Sequence, residues 1–298
     1  MATKILLTGV TGTIGSFLFE EMAAQSGSTV QVFVRSEGKA RAFRERGVTA
    51  FVGDFDQPET LPPALEGVDK LFLLSDASPR QVQMQGNMVE AARQAGVRHL
   101  VKLSASRAAP DLLAPIKRWH GETERQIERS GIPYTFLRPN CFMQNMFKWS
   151  RSIREQGLFK MPVGDALVSQ VDARDIAATA ATVLNTDGHA GQTYEITGSA
   201  ALSFEEVAEH FSSILGKPIS YKRVSYEESR RHMIEHGMEE WRAAAVTETY
   251  RFMAAGHAAH VSDTVTRVLG REPISCQQFI EDYAEAFDSS RAVASSVA

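Results

Sequence analysis

The stretch Lys4-Ile-Leu-Leu-Thr-Gly9-Val-Thr-Gly12-Thr-Ile-Gly15 decides the fold of this chain. It begins with an apolar run, which is typical of a strand buried on both faces. The segment from Thr13 to Ala24 follows, with apolar residues at helical spacing. The glycines therefore lie on a turn from a strand into a helix, which is where a dinucleotide pyrophosphate binds in many α/β proteins.

Each glycine of this turn has a separate expected role. Gly9 permits the tight turn after the strand, Gly12 lets the pyrophosphate approach the backbone, and Gly15 lets the helix lie close to the sheet. An ordinary glycine-rich turn is the alternative, because the spacing is GxxGxxG rather than GxGxxG. We assign the turn as cofactor-binding through Gly9, Thr11, Gly12, Thr13, Ile14 and Gly15.

The composition is that of an ordinary globular protein. The chain has 298 residues and a formal net charge of −4, which does not indicate a nucleic-acid-binding surface. It has no apolar run long enough to cross a membrane and no signal-peptide pattern, so we expect a cytoplasmic protein. Cys141 and Cys276 cannot form a disulfide framework or a zinc cluster, and the histidines form no metal-binding pattern.

The second predicted strand, Thr29 to Arg35, bears on cofactor choice. An acidic residue at its end would accept hydrogen bonds from the ribose hydroxyls of NAD. Here the strand ends in Arg35, with Lys39 and Arg41 beyond it. A guanidinium suits a 2′-phosphate, so the sequence predicts NADPH over NADH. The alternative is that Arg35 is a solvated loop residue.

The third predicted strand, Thr49 to Gly53, leads into Asp54 and Phe55. At this strand end the Asp54 carboxylate is placed to accept a hydrogen bond from the adenine amino group, with Phe55 against the ring. Asp56 is a second candidate for a local role, as the N-cap of a helix that has Pro58 in its first turn.

Predicted strands and helices alternate five times in the first hundred residues, through Lys70 to Ser75 and His99 to Ser104. This pattern predicts an α/β protein with a Rossmann-type, doubly wound parallel sheet. Ligands of such sheets lie outside the carboxyl ends of the strands. Those ends are Gly9, Arg35, Asp54, Ser75 and Ser104, of which the two serines are expected beside the nicotinamide half.

A helix from Lys117 to about Ser130 and a strand from Ile132 to Pro139 come next. The segment after that strand is rich in methionine and aromatic residues, which favours either core or pocket lining. We predict a Rossmann domain over 1–156, a smaller mixed lobe on the substrate side over 157–288, and a disordered tail over 289–298. The candidates for substrate contact are Asn140, Phe142, Met143, Asn145 and Met146.

Several of these motifs together resemble one family. They are Gly9 to Gly15, Arg35, Gly53-Asp-Phe with Gln57-Pro58, Ile132-Pro-Tyr-Thr-Phe-Leu-Arg-Pro-Asn140, Gln170-Val-Asp-Ala-Arg-Asp-Ile-Ala and Leu269-Gly-Arg-Glu-Pro273. The chain resembles the NmrA-like branch of the atypical short-chain dehydrogenases. Within that branch it is most similar to bacterial NADPH-dependent reductases of quinones, azo dyes and triphenylmethane dyes. The resemblance implies a Rossmann domain, an NADP(H) site and a small C-terminal lobe.

The expected proton donor departs from the usual pattern. Ordinary short-chain dehydrogenases use a Tyr with a Lys four residues on, and no Tyr of this chain has one. Isoflavone-reductase-like enzymes carry a catalytic lysine at the position that is His120 here. A histidine can donate a proton near neutral pH, so His120 is the candidate catalytic residue, with Glu124 one turn on to orient it. The alternative is a plain surface position.

The resemblance implies hydride transfer from NADPH to a small, flat, conjugated acceptor. Because the family also includes redox-sensing regulators, a non-catalytic NADP(H) sensor that acts through a protein partner is the alternative. A sugar-nucleotide epimerase or dehydratase shares the fold, but the missing Tyr-Lys pair disfavours it. We expect a small-molecule substrate, no nucleic-acid or membrane partner, and a homodimer as one option for assembly.

Overall fold

A computed structural model describes residues 2–24 and 27–288. The expected disordered tail, 289–298, lies outside the described residues. The chain divides into two compact units. The first comprises Met1–Leu112, Ile116–Pro139 and Ala173–Glu195, and the second comprises Leu113–Pro115, Asn140–Asp172 and Ile196–Ala298.

Nine strands form two sheets in the described residues. In chain order they are β1 (Thr3–Thr8), β2 (Ser28–Val34), β3 (Thr49–Val52), β4 (Lys70–Leu73), β5 (His99–Leu103), β6 (Tyr134–Pro139), β7 (Leu158–Met161), β8 (Gln192–Ile196) and β9 (Ser220–Arg223). The larger sheet has the order β3-β2-β1-β4-β5-β6-β8, and β1 to β6 pair in parallel. The predicted doubly wound sheet is confirmed.

Thirteen α-helices lie in the described residues. They are α1 (Thr13–Ala24), α2 (Glu37–Glu45), α3 (Pro62–Leu65), α4 (Gln81–Gln94), α5 (Pro115–Ser130), α6 (Ser150–Gln156), α7 (Ala173–Asn185), α8 (Phe204–Leu215), α9 (Tyr226–Glu235), α10 (Glu240–Phe252), α11 (Thr264–Leu269), α12 (Cys276–Asp282) and α13 (Ala284–Phe287). The first helix covers the predicted residues and packs on α7. None of the helices described is long and apolar enough to span a bilayer.

The order of the sheet reverses direction at β1. Chain connections run from β1 toward β2 and β3 on one side and return to β4 on the other. The Thr8 hydroxyl joins the two ends, because it donates to Phe72 O at 2.9 Å and accepts from Leu74 N at 2.8 Å. A dinucleotide in an open α/β sheet lies at such a reversal, beyond the carboxyl ends of the strands.

The second unit has its own apolar core. Met143, Met146, Phe159 and Phe211 belong to it and are nearly inaccessible to solvent. The strands β7 and β9 form a separate parallel pair. Helix α8 starts at a capping box, in which Ser203 and Glu206 bond to each other's backbone N–H.

One local prediction is wrong. Asp56 does not cap a helix, because the short 3-10 helix Pro58–Thr60 has Gln57 at its N-cap position, without a side-chain cap. Asp56 instead pairs with Arg80 at 2.8 Å. A proline at the first helical position fixes the start one residue later than the carboxylate would need.

Candidate functional site

The glycine turn joins β1 to α1 with little room to spare. Gly9 has φ of +69°, and a Cβ there would lie 2.6 Å from Leu74 Cγ. A Cβ on Gly15 would lie 2.1 Å from Gly9 O, so only glycine lets the helix approach the turn. Gly12 differs, because its only close neighbour would be Gly9 O at 3.4 Å. Gly12 is exposed and leaves open space beside the first turn of α1, where backbone N–H groups favour anions.

Two cations lie at the carboxyl end of β2. Arg35 is exposed, and its guanidinium has no ion-pair or hydrogen-bond partner within residues 2–24 and 27–288. Lys39, in the first turn of α2, donates to the Thr11 hydroxyl at 3.2 Å. A positive group from α2 therefore lies against the glycine turn itself. This is the arrangement that a ribose 2′-phosphate would need.

The end of β3 presents a carboxylate but not an aromatic face. Asp54 is half-buried, and its Oδ1 accepts from Asp56 N at 3.0 Å. Phe55 is 6% exposed and packs on Phe33 with ring centroids 5.6 Å apart. The Phe55 ring belongs to the core of the first unit, so it offers little surface on which an adenine could stack.

The two serines at the ends of β4 and β5 differ in their partners. Ser75 Oγ accepts from Gln85 Nε2 at 2.8 Å. Ser104 is 4% exposed, and in the described part of the chain its Oγ has no hydrogen-bond partner. A buried hydroxyl without a partner is unfavourable unless a ligand or water completes it. With the open space at Gly12 and the free Arg35, it fits a dinucleotide along this edge.

His120 is half-buried on α5 and lies in a polar cluster of the first unit. Its Nδ1 is 3.2 Å from Lys102 Nζ and 3.4 Å from Gln81 Nε2. Lys102 is on β5 and is completely buried. It donates also to Gln85 Oε1 at 2.7 Å and to Leu103 O at 3.3 Å. The surface alternative for His120 is therefore wrong.

Burial and neighbouring lysines control the charge of this cluster. Burial, then the charges of Lys102 and Lys117, lower the pKa of His120 well below its ordinary value. Burial also lowers the pKa of Lys102 to about 7, against an opposing effect of Glu124. Because a neutral imidazole is a poor acid, His120 cannot by itself supply a proton at neutral pH.

Glu124 does not orient His120. Its carboxylate accepts two hydrogen bonds from Arg138, one of them from Nε at 3.0 Å. Arg138 lies 3.6 Å from Glu195 as well. The prediction that Glu124 orients the histidine is wrong, because the guanidinium on β6 offers it a bidentate, charged partner.

The substrate candidates all belong to the second unit, and the structure gives them different environments. Met143 and Met146 are 2% and 0% exposed and are core residues. Asn140 is buried, and its Nδ2 donates to Ser169 Oγ and Ala258 O, both at 2.8 Å. Phe142 and Asn145 are half-buried. Those two retain accessible side-chain surface, so they are the members of this set best suited to contact a ligand.

The described residues contain no group of side chains suited to hold a metal ion. No three histidine, cysteine or carboxylate side chains there are grouped to hold a metal ion. Cys141 and Cys276 form no disulfide with each other, and burial raises the pKa of Cys276 to about 12. A thiol with such a pKa is unreactive at neutral pH.

Residues 1–271 match the model of the NmrA-like family. The chain belongs to the NmrA-like family. Among relatives of this NmrA-like protein, an NAD(P)H azoreductase of Xenophilus azovorans is 41% identical over 283 residues, which cover 95% of this chain and 99% of the azoreductase. Quinone oxidoreductase 2 of Escherichia coli is 29% identical over 268 residues, covering 89% of this chain and 93% of that enzyme.

Solved structures of related enzymes have the same fold as this NmrA-like protein. The triphenylmethane reductase of Citrobacter sp., complexed with NADP(H), superposes with a TM-score of 0.84 and 30% identity over 94% of this chain and 99% of that enzyme. The NADPH complex of the Escherichia coli quinone oxidoreductase gives a TM-score of 0.86 with 27% identity, over 94% and 99% of the two chains.

Sequence reasoning missed Lys102 and Gln81, which contact His120, and Gln85, which contacts Lys102. Lys102 carried a readable signal, because it interrupts an otherwise apolar strand that the fold buries on both faces. Gln81 and Gln85 lie one turn apart on α4 and carried none, since two glutamines at that spacing also suit a solvated helix face.

Proposed function

We propose that this protein uses NADPH to reduce small conjugated acceptors of the quinone, azo-dye or triphenylmethane-dye type. The observation that carries the proposal is the Arg35 and Lys39 pair beside the glycine turn, in a chain 41% identical to an NAD(P)H azoreductase along almost its whole length. The other relatives named above are a quinone oxidoreductase and a triphenylmethane reductase.

The first unit supplies the cofactor contacts in this proposal. The N–H groups at Thr11, Thr13 and Ile14 bind the pyrophosphate, since the start of α1 favours negative charge, and Gly12, whose own N–H donates to Gly9 O, leaves it room to approach. Arg35 binds the 2′-phosphate, with Lys39 beside it. Asp54 accepts from the adenine amino group, and Ser75 and Ser104 bind at the nicotinamide half.

When bound, NADPH supplies a hydride, so the protein contributes position, electrostatics and, for some acceptors, a proton. Phe142 and Asn145 contact the acceptor, while Asn140, Met143 and Met146 hold their segment in place through hydrogen bonds and core packing. His120 gives the proton that a quinone or an azo bond needs after hydride addition. A triphenylmethane cation needs none, because hydride alone neutralises it.

The test follows NADPH oxidation by the loss of nicotinamide absorbance, with one quinone, one azo dye and one triphenylmethane dye. We expect turnover of at least one acceptor and a preference for NADPH over NADH. Fluorescence of bound NADPH measures affinity separately. Tight binding of NADPH without turnover of any acceptor would refute the reductase function and favour the non-catalytic sensor. The names of the relatives given above favour the reductase.

A further inference from the structure

The protein contains a completely buried lysine that no part of the proposed cofactor site uses. Lys102 lies in β5, and its ammonium has three acceptors: Gln85 Oε1 at 2.7 Å, His120 Nδ1 at 3.2 Å and Leu103 O at 3.3 Å. An ammonium has three N–H donors and no acceptor. The environment is therefore complete for the charged form.

This geometry fixes the tautomer of His120. Because a lysine ammonium can only donate, Nδ1 must present its lone pair to Lys102, and the imidazole proton lies on Nε2. Gln81 Nε2, at 3.4 Å, faces the same nitrogen as a second donor. Nε2 has no partner among the described residues and is the only ring nitrogen free to face a ligand.

We propose that Lys102 is a positioning residue that makes His120 the proton donor of the reaction, by donating to Nδ1 and holding the transferable proton on Nε2. The proposal rests on the proposed function, because the group that receives the proton is its substrate. It answers the difficulty that a neutral imidazole is a poor acid. Lys102 gives Nδ1 a proton that replaces the one passed from Nε2 to the acceptor.

The proton transfers balance for a quinone. The acceptor gains a hydride, with its two electrons, and one proton. His120 supplies that proton as its Nε2–H bond breaks and an O–H bond forms, with the N–H electrons remaining on Nε2. A proton moves from Lys102 Nζ to Nδ1, which leaves a neutral amine and a neutral imidazole protonated on Nδ1. After product leaves, water returns one proton to the pair.

The charged groups around the pair act in opposite directions on this transfer. On α5, Lys117 adds positive charge near His120, and Glu124 opposes the loss of charge from Lys102. On α4, Gln81 and Gln85 are neutral. Burial lowers the pKa of Lys102 to about 7, which is close to the pH of a neutral solution. Its side chain can therefore both take up and release a proton at that pH.

The first experiment needs neither cofactor nor turnover. Nitrogen NMR of labelled histidine in the full chain reports the tautomer and titration of His120. We expect the Nε2–H tautomer in the wild type below about pH 7, where Lys102 is charged. Lys102→Met should mix the tautomers and shift the titration of His120 to higher pH. Lys102→Gln keeps an N–H donor without the charge, so it should retain the tautomer and still shift the titration.

His99 is the internal control. It is a buried histidine on β5, and its Nε2 bonds to the Thr135 hydroxyl at 2.9 Å. Its signals should not change in either variant if the fold is intact. An unchanged tautomer of His120 in Lys102→Met, with His99 also unchanged, would overturn the proposal. So would a wild-type His120 protonated on Nδ1.

The second experiment compares two acceptors of different proton demand. Lys102→Met should lower kcat for a quinone on the order of 100-fold, as loss of general-acid catalysis does. It should leave kcat for a cationic triphenylmethane dye within about twofold of the wild type. His120→Phe should give the same split.

An equal loss for both acceptors would mean a purely structural role for Lys102 and would overturn the proposal. The wild-type quinone rate should also fall as pH rises through about 7, where Lys102 loses its proton, and the dye rate should not. Failure of the wild type on every acceptor would count against the proposed function instead. The NMR result would still decide whether Lys102 sets the tautomer.

Discussion

Replacement of Arg35 by alanine tests the cofactor assignment most directly. Arg35 is exposed and has no partner among the described residues, so its loss breaks no ion pair of the protein. A hydrogen bond to a charged group contributes about 1.5–3 kcal/mol, and an exposed ion pair about 0.2–1 kcal/mol. A doubly charged phosphate at an exposed site falls between these, at about 1–2 kcal/mol.

That free energy corresponds to about a 5- to 30-fold weaker Kd for NADPH. NADH lacks the 2′-phosphate, so its Kd should not change. Lys39→Met should weaken NADPH binding less than Arg35→Ala does, because Lys39 also bonds to Thr11 and its charge is shared with the turn. Arg35→Asp should exceed both, since it replaces attraction by repulsion.

The assay is titration of cofactor fluorescence for NADPH and NADH with each variant, at low salt and again well above about 0.1 M. Added salt should reduce the wild-type preference for NADPH, because exposed charges are screened over about 10 Å at that ionic strength. If Arg35→Ala weakens NADPH and NADH equally, or changes neither, the 2′-phosphate is not bound at the end of β2.

Three further outcomes follow from contacts in the first unit. Gly12→Val should abolish NADPH binding but leave the melting temperature nearly unchanged, whereas Gly15→Val should destabilise the fold, because its Cβ would meet Gly9 O at 2.1 Å; equal thermal loss in both would contradict this. Glu124→Gln should lower the free energy of unfolding by about 2–3 kcal/mol in urea titrations, since it removes the buried negative charge that pairs with Arg138 and leaves the longer contact to Glu195 as the remaining ion pair of that guanidinium. Glu128→Gln, at an exposed position of α5, is the control. Burial lowers the pKa of His99 to about 4, so between that pH and the ordinary value the unfolded chain binds a proton that the native state does not. The free energy of unfolding should therefore fall by on the order of 2 kcal/mol as the pH drops from about 6.5 to about 4. His99→Gln should flatten that part of the pH profile.

The parallel sheet and the residues at the carboxyl ends of its strands were predictable, because their sequence signals are local. The apolar run before Gly9, the glycine spacing and the helical periodicity after Thr13 each depend on residues within one turn or strand. The place of Arg35 at the carboxyl end of β2 was predictable for the same reason, because Arg35 directly follows that strand. The parallel order of β1 to β6 then followed from the alternation of strands and helices.

The surroundings of His120 were not predictable, because they come from three elements distant in the chain. Lys102 lies on β5, Gln81 and Gln85 on α4, and His120 on α5. Periodicity gives the face of each element but not which side chains meet across them. The same limit explains the wrong prediction for Glu124. Its spacing from His120 along α5 suggested a contact between the two, but Arg138 on β6 binds it.

The return of the chain to the first unit at Ala173–Glu195 has a consequence for synthesis. Helix α7 packs on α1, and β8 lies beside β6 at the edge of the sheet. While the ribosome is still adding residues 140–172, the nascent nucleotide-binding unit has an uncovered apolar helix face and an unpaired strand edge. Such edges promote association between chains. A stop at Pro139 should therefore yield an aggregating fragment, although every residue assigned to the cofactor has been made.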